Sequence, residues 1–312
     1  MAPPTSINDI CKRVAMVSCP MLGSDEGIEP VCYARNVVIG GTLIFQPATC
    51  FIHIVAIFMT AIMLYHIRTK YTAIGRKEIT LFFYLYGICE LLAIFLDSSV
   101  IPTSHEAYPW FAAVYMGLTT AMFWCLLVNG FIGFQVVEDG TALSVWSLRI
   151  SSFVLGALSF FIHIATYKSI PGFDRSNPIA VSIFTFILHI VCVGIYIITQ
   201  LILVIRTLDD RWPITNIAFG VGFFVIGTVV MLGFSVEVCN SVDHYIDGLF
   251  FETLCYLLSV MMVYKYYDAI TREDLEFSVG SKGTVWEVKD ANMMQDTPQN
   301  DTKYPPTTHN YQ

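Results

Sequence analysis

Seven long apolar stretches, each long enough to cross a bilayer as a helix, divide this 312-residue chain and leave little between them. A helix rises 1.5 Å per residue, so some 20 apolar residues cover the roughly 30 Å hydrocarbon core. The predicted spans are Leu43–Tyr65, Ile79–Ile101, Trp110–Val136, Leu143–Tyr167, Ile179–Ile205, Ile214–Val236 and Ile246–Tyr266. Helix breakers mark several joints: Pro102 with Pro109, Pro171 with Gly172, Pro178, and Pro213. Only Glu138 to Ala142 separates the third and fourth spans, which predicts a tight helical hairpin. The fold class is therefore all-α: a polytopic membrane protein built as a seven-transmembrane-helix bundle.

Composition agrees with that class. Charged residues make up 13% of the chain, against about 25% in an ordinary soluble domain. The net charge of −8, without a basic patch, argues against nucleic acid as a partner. Residues Met1 to Pro20 are polar and mixed, so the first span is expected to act as its own targeting signal.

Lys and Arg near the span ends set the expected orientation. Arg68, Lys70, Arg76 and Lys77 follow the first span, Arg206 and Arg211 the fifth, and Lys265 and Arg272 the seventh. The other side has Arg35, Lys168 and Arg175. This bias puts the N-terminus in the lumen and the C-terminus in the cytosol. The expected organisation is a lumenal N-terminal tail over 1–42, a seven-helix domain over 43–267, a cytosolic docking segment over 268–288 and a disordered cytosolic tail over 289–312. The sequon at Asn300 would then face the cytosol and stay unused.

The nine cysteines sort by that topology. Cys11, Cys19, Cys32 and Cys239 fall on the lumenal side, and the other five fall within spans. An even set in an oxidising compartment fits two disulfides. Three pairings are open, and the sequence does not choose among them; free thiols in a loose tail are the alternative.

Charge inside a bilayer is costly unless paired or hydrated, so Glu90, Asp97, Arg149 and Glu252 are the intramembrane candidates. Glu90 and Asp97 are seven apart and share one helix face. One reading is a polar path for a proton or solute. The other has these groups satisfied within the bundle, with Arg149 reaching to the cytosolic interface. A transporter would lose function when Glu90 or Asp97 is neutralised, whereas a protein without a transport path is expected to tolerate Glu90→Ala. His53, His163 and His189 lie in three different spans, and His244 lies near a span end. No H-E-x-x-H pair and no G-x-S-x-G occurs, so neither metal, cofactor nor catalytic site is expected. A receptor of the G-protein-coupled kind would show Asp-Arg-Tyr after the third span and Asn-Pro-x-x-Tyr in the seventh. The chain has FQVVEDG and MMVYKYY instead.

Several strings are more specific than these arguments. They are FQPATCFIHIVAIFMTAIMLYHIRTKYTAIGRKEI from Phe45, LLVNGFIGFQVVEDGTALSVWSLR from Leu126, LDDRWPITNIAFG from Leu208 and HYIDGLFFETLCYLLSVMMVYKYYDAITREDLEFSVG from His244. Together they resemble the fungal chitin synthase export chaperone family, the one serving the class III synthase, over Cys11 to Val288. The resemblance implies a multi-pass protein of the endoplasmic reticulum membrane without catalytic activity. It would bind new chitin synthase and allow its export to the cell surface, supporting cell-wall chitin synthesis. A small-solute or proton-coupled membrane transporter is the alternative. Glu90 and Glu252 depart from the family pattern, as do Thr228 and Tyr267. Beside the resemblance, the candidate docking or export residues are Asp209, Arg211, Trp212, Glu273, Asp274, Glu276 and Phe277. Asp274-Leu275-Glu276 fits a short acidic exit signal that export-coat machinery would read.

Overall fold

A computed structural model describes residues 7–23, 27–134, 138–208 and 211–295, with side chains up to Thr271 apart from Ile39 and Thr42. Seven of its helices are long and apolar enough to cross a membrane. They are α2 (Pro47–Thr69), α3 (Arg76–Asp97), α4 (Tyr108–Ile132), α5 (Ala142–Tyr167), the run Ile179–Thr207, α8 (Pro213–Ser241) and the Gly248–Thr271 part of α9 (Gly248–Gln295). The run Ile179–Thr207 begins with α6 (Ile179–Ser182), passes through a π-helical turn at Ile183–Ile187 and continues as α7 (Leu188–Thr207).

Span boundaries differ from the sequence reading by a few residues, for local reasons. The first span starts at Pro47 rather than Leu43, because Thr42–Ile44 pairs as β2 with β1 (Val37–Ile39) in an antiparallel hairpin. Pro47 then occupies the first turn of α2, where the missing N–H costs nothing. Pro109 and Pro213 serve α4 and α8 in the same way. The second span ends at Asp97, four residues early, where Ser99 takes a left-handed conformation. The seventh runs on to Thr271.

Helix α4 is the axis of the bundle. It packs against α3, α5 and α7, and it is the most buried span. Its small residues Ala112, Ala113, Gly117, Thr120 and Ala121 let neighbours approach closely, as helices in bilayers require. At the α4–α5 crossing, a Cβ on Gly117 would lie 2.8 Å from the Gly156 carbonyl oxygen, so the two backbones touch through glycines. Phe82, Phe83, Tyr86, Met122 and Cys125 form the main core between α3, α4 and their neighbours. Helix α8 contributes few buried residues and turns most of its apolar surface outward.

The N-terminal segment is folded onto one end of the bundle. Helix α1 (Ile7–Cys11) and Leu22 pack with Leu96, Tyr108 and Tyr167 in a second core cluster. Residues from Thr271 onward form a separate unit.

Candidate functional site

Three groups of polar side chains organise the bundle, one at each end and one in the middle.

At the N-terminal end, Cys11 is bonded to Cys19 and Cys32 to Cys239. The first bond closes a short loop; the second fastens the N-terminal segment to α8. Hydrogen bonds seat that loop: Tyr108 Oη donates to the Val17 carbonyl at 3.0 Å, and Tyr167 Oη lies 2.9 Å from Ser18 Oγ. Gly23 N–H donates to the Arg175 carbonyl at 3.0 Å, and Arg35 N–H to the His244 carbonyl at 2.6 Å. The Arg175 guanidinium reaches the Tyr167 carbonyl. His244 Nδ1 lies 3.1 Å from Cys32 Sγ. Cys32, Cys239 and His244 have ligand atoms close enough to share a metal ion, but the two sulfurs are bonded to each other.

In the middle, His53 on α2 bridges two carboxylates on α3. Its Nδ1 is 2.6 Å from Glu90 Oε2, and its Nε2 is 3.1 Å from Asp97 Oδ2. All three side chains are nearly excluded from solvent. The seven-residue spacing of Glu90 and Asp97 puts both on the α2-facing side of α3, and one imidazole spans them. Glu252, from α9, lines one cavity together with these three residues. At Gly227 of α8 a Cβ would fall 2.8 Å from Cys255 Cβ, so α8 and α9 meet closely beside Glu252. Beside this centre His163 is held by a backbone carbonyl and a hydroxyl, and His189 by a hydroxyl. His163 Nδ1 is 2.8 Å from the Ser159 carbonyl and its Nε2 is 3.3 Å from Thr185 Oγ1. His189 Nε2 is 3.2 Å from Thr120 Oγ1, and its ring stacks on Phe123. The π-helical turn carries Thr185 to His163.

At the opposite end, the α2–α3 and α4–α5 joints and the end of the seventh span meet. Glu78 is fully buried, and its Oε1 accepts from Gly140 N–H and Ser144 O–H, each at 2.8 Å. Asp139 accepts from Gly75 N–H at 2.8 Å, and Lys77 Nζ donates to the Gly140 carbonyl at 2.8 Å. Lys70 pairs with Asp268 at 2.5 Å, and Tyr267 Oη donates to the Ile74 carbonyl at 3.2 Å. Arg211 and Trp212 are exposed. Asp209 lies outside the described residues, as do the side chains of Glu273, Asp274, Glu276 and Phe277. Arg149 is exposed on α5, with its guanidinium 5.5 Å from the Trp146 ring centre.

Sequence reasoning missed Glu78, which follows a basic run and reads as a solvated charge. It also missed His53 as the partner of Glu90 and Asp97, because that contact lies between helices. No local spacing announces either.

Fold and polar groups together define a seven-span helical membrane protein whose internal charges are tied mainly to one another. The family model described as chitin synthase export chaperone matches residues 5–281. The chain is 56% identical over 286 residues to the chitin synthase export chaperone of Cryptococcus neoformans, covering 91% of this chain and 79% of that protein. It is 51% identical to the one from Coccidioides immitis (91% and 87%) and 49% identical to the one from Neurospora crassa (91% and 81%). This chain belongs to the chitin synthase export chaperone family. No solved structure matches it.

Proposed function

We propose that this protein is a chaperone of the endoplasmic reticulum membrane that binds newly made chitin synthase and allows its export to the cell surface. The observation that carries the reading is the match to the family over nearly the whole length, with relatives bearing that name at about half identity. The proposed role is non-catalytic. An unassembled multispanning client exposes polar groups and small-residue packing faces that need temporary cover in the bilayer. Large apolar side chains such as Phe51 and Phe58 on α2, and Phe153 and Phe161 on α5, face outward and suit contact with lipid or with client helices. In this reading the N-terminus is lumenal. The end bearing Lys70, Glu78 and Asp139 is cytosolic. Exposed Arg211 and Trp212 are proposed docking residues of the bundle, and residues 268–288 are proposed separately as a docking or export segment, with export-coat machinery as a further partner.

The test is removal of the gene. Chitin synthase should then stay in the reticulum while unrelated membrane proteins reach the surface. Normal surface chitin synthase in such cells, with no paralogue present, would discard the reading.

A further inference from the structure

The polar centre of the bundle borders a cavity of about 220 Å³. His53, Glu90, Asp97 and Glu252 all line it. His53 ties Glu90 to Asp97, but neither an ion pair nor a hydrogen bond within 3.5 Å engages Glu252 among the described residues. Three carboxylates thus face one imidazole, and His53 pairs with only two of them. A carboxylate removed from bulk water is costly to ionise without a cationic partner. Tyr86, with no exposed surface, lines the cavity as well, and its hydroxyl is directed at the Glu90 carboxylate. It adds a polar wall but no positive charge.

We propose that this cavity is a binding site for a small organic ammonium ion with a compact apolar body. A metal ion is a poor fit. Among the described residues, the one group of His, Cys and acidic side chains close enough to share an ion is Cys32, Cys239 and His244, at the bundle end. The central carboxylates are too spread to ligate a point charge, but they suit a diffuse one. Rings of Tyr115, Phe123 and Tyr256 also line the cavity, and aromatic faces attract ammonium groups. The volume is sufficient, since an apolar cavity of about 150 Å³ already holds benzene. Access is from the N-terminal end. A second, more polar cavity of about 360 Å³ lies there, and it shares Met16, Val17 and Asp97 with the inner one. Met16 and Val17 belong to the loop closed by the Cys11–Cys19 disulfide, so that loop stands between the two chambers.

The experiment uses the full chain in dodecyl maltoside, a detergent with no ammonium group. Benzylammonium is titrated while the thermal midpoint and calorimetric heat are followed. Benzyl alcohol, equal in shape but uncharged, is the control at matched ionic strength. Benzylammonium should raise the midpoint in a saturable way, and benzyl alcohol should not. Glu252→Gln should weaken benzylammonium binding at least tenfold. Should that variant not fold, Tyr86→Phe takes its place and should weaken binding several-fold. No saturable shift with benzylammonium, an equal shift with benzyl alcohol, or unchanged affinity in a folded variant would each overturn the proposal.

Discussion

Cys32 and Cys239 are bonded across 207 residues of chain, so the N-terminal segment and the end of α8 share one covalent anchor. Cys11 and Cys19, eight residues apart, close a local loop beside it. Mass spectrometry of the unreduced protein should therefore recover Cys11 with Cys19 and Cys32 with Cys239. Recovery of either other pairing would contradict the arrangement. The long closure restrains the unfolded chain most, so Cys32→Ser with Cys239→Ser should lower stability by roughly 2–4 kcal/mol. Cys11→Ser with Cys19→Ser should cost less, since closing a short loop removes less entropy from the unfolded chain.

Orientation gives a second prediction. An acceptor sequon built at residue 24, by Ser24→Asn with Glu26→Thr, should be glycosylated, while the native Asn300 should not. Glycosylation of Asn300 would reverse the assignment of ends and move the cysteines out of the oxidising compartment.

The third concerns the centre. Glu90 Oε2 lies 2.6 Å from His53 Nδ1 inside the bundle, so Glu90→Ala should cost stability, whatever it does to function. Removing one partner of a buried pair typically costs about 3–5 kcal/mol. Glu90→Ala should destabilise the protein by an energy of that order, read as a lower thermal midpoint in detergent, and by less where Asp97 keeps His53 in place. Glu90→Gln retains an acceptor and should fall in between. Midpoints equal to that of the parent protein would show that the pair holds nothing together.

These positions also show how far the chain could be read in advance. Seven spans were legible because bilayer thickness demands long apolar runs, which need no partner to be recognised. The shared face of Glu90 and Asp97 was legible from helical periodicity. Their link to His53 was not, because it depends on how α2 rotates against α3. The four cysteines stood out as a set through topology, yet their pairing depends on how residues 7–23 and 27–46 fold over the bundle. Glu78 was invisible because only the return of the Glu138–Gly140 loop buries it.

Glu78 supplies the fourth prediction. Its carboxylate holds the α4–α5 joint through Gly140 N–H and Ser144 O–H. Glu78→Ala leaves the buried Ser144 hydroxyl and the partly buried Gly140 N–H without this partner, the former at roughly 1–3 kcal/mol and the latter at less. Lys70→Ala removes a partly exposed ion pair with Asp268 and should cost less, about 1 kcal/mol or below. Fluorescence-detected gel filtration after heating would rank the two, and a larger loss for Lys70→Ala would refute the ordering.

The last prediction concerns the segment after the seventh span. Any truncation that tests it must spare the bundle. Tyr266 Oη donates to Gln200 Oε1 at 2.6 Å, Tyr267 to the Ile74 carbonyl, and Asp268 pairs with Lys70. A cut after Lys265 would remove all three contacts and confuse misfolding with lost export. A cut after Arg272 keeps them, together with the whole Gly248–Thr271 span. The shortened protein should insert and keep its thermal midpoint, because the residues removed lie outside the unit that ends at Ile270. If 273–288 carries the docking or export element, chitin synthase should nonetheless accumulate in the reticulum of cells carrying only this form. Asp274→Ala with Glu276→Ala in the full chain isolates the acidic pair, and should reproduce the retention if that pair is what the export machinery reads. Normal amounts of surface chitin synthase with the truncated form would remove the segment from the mechanism and leave recognition to the spans and the remaining loops.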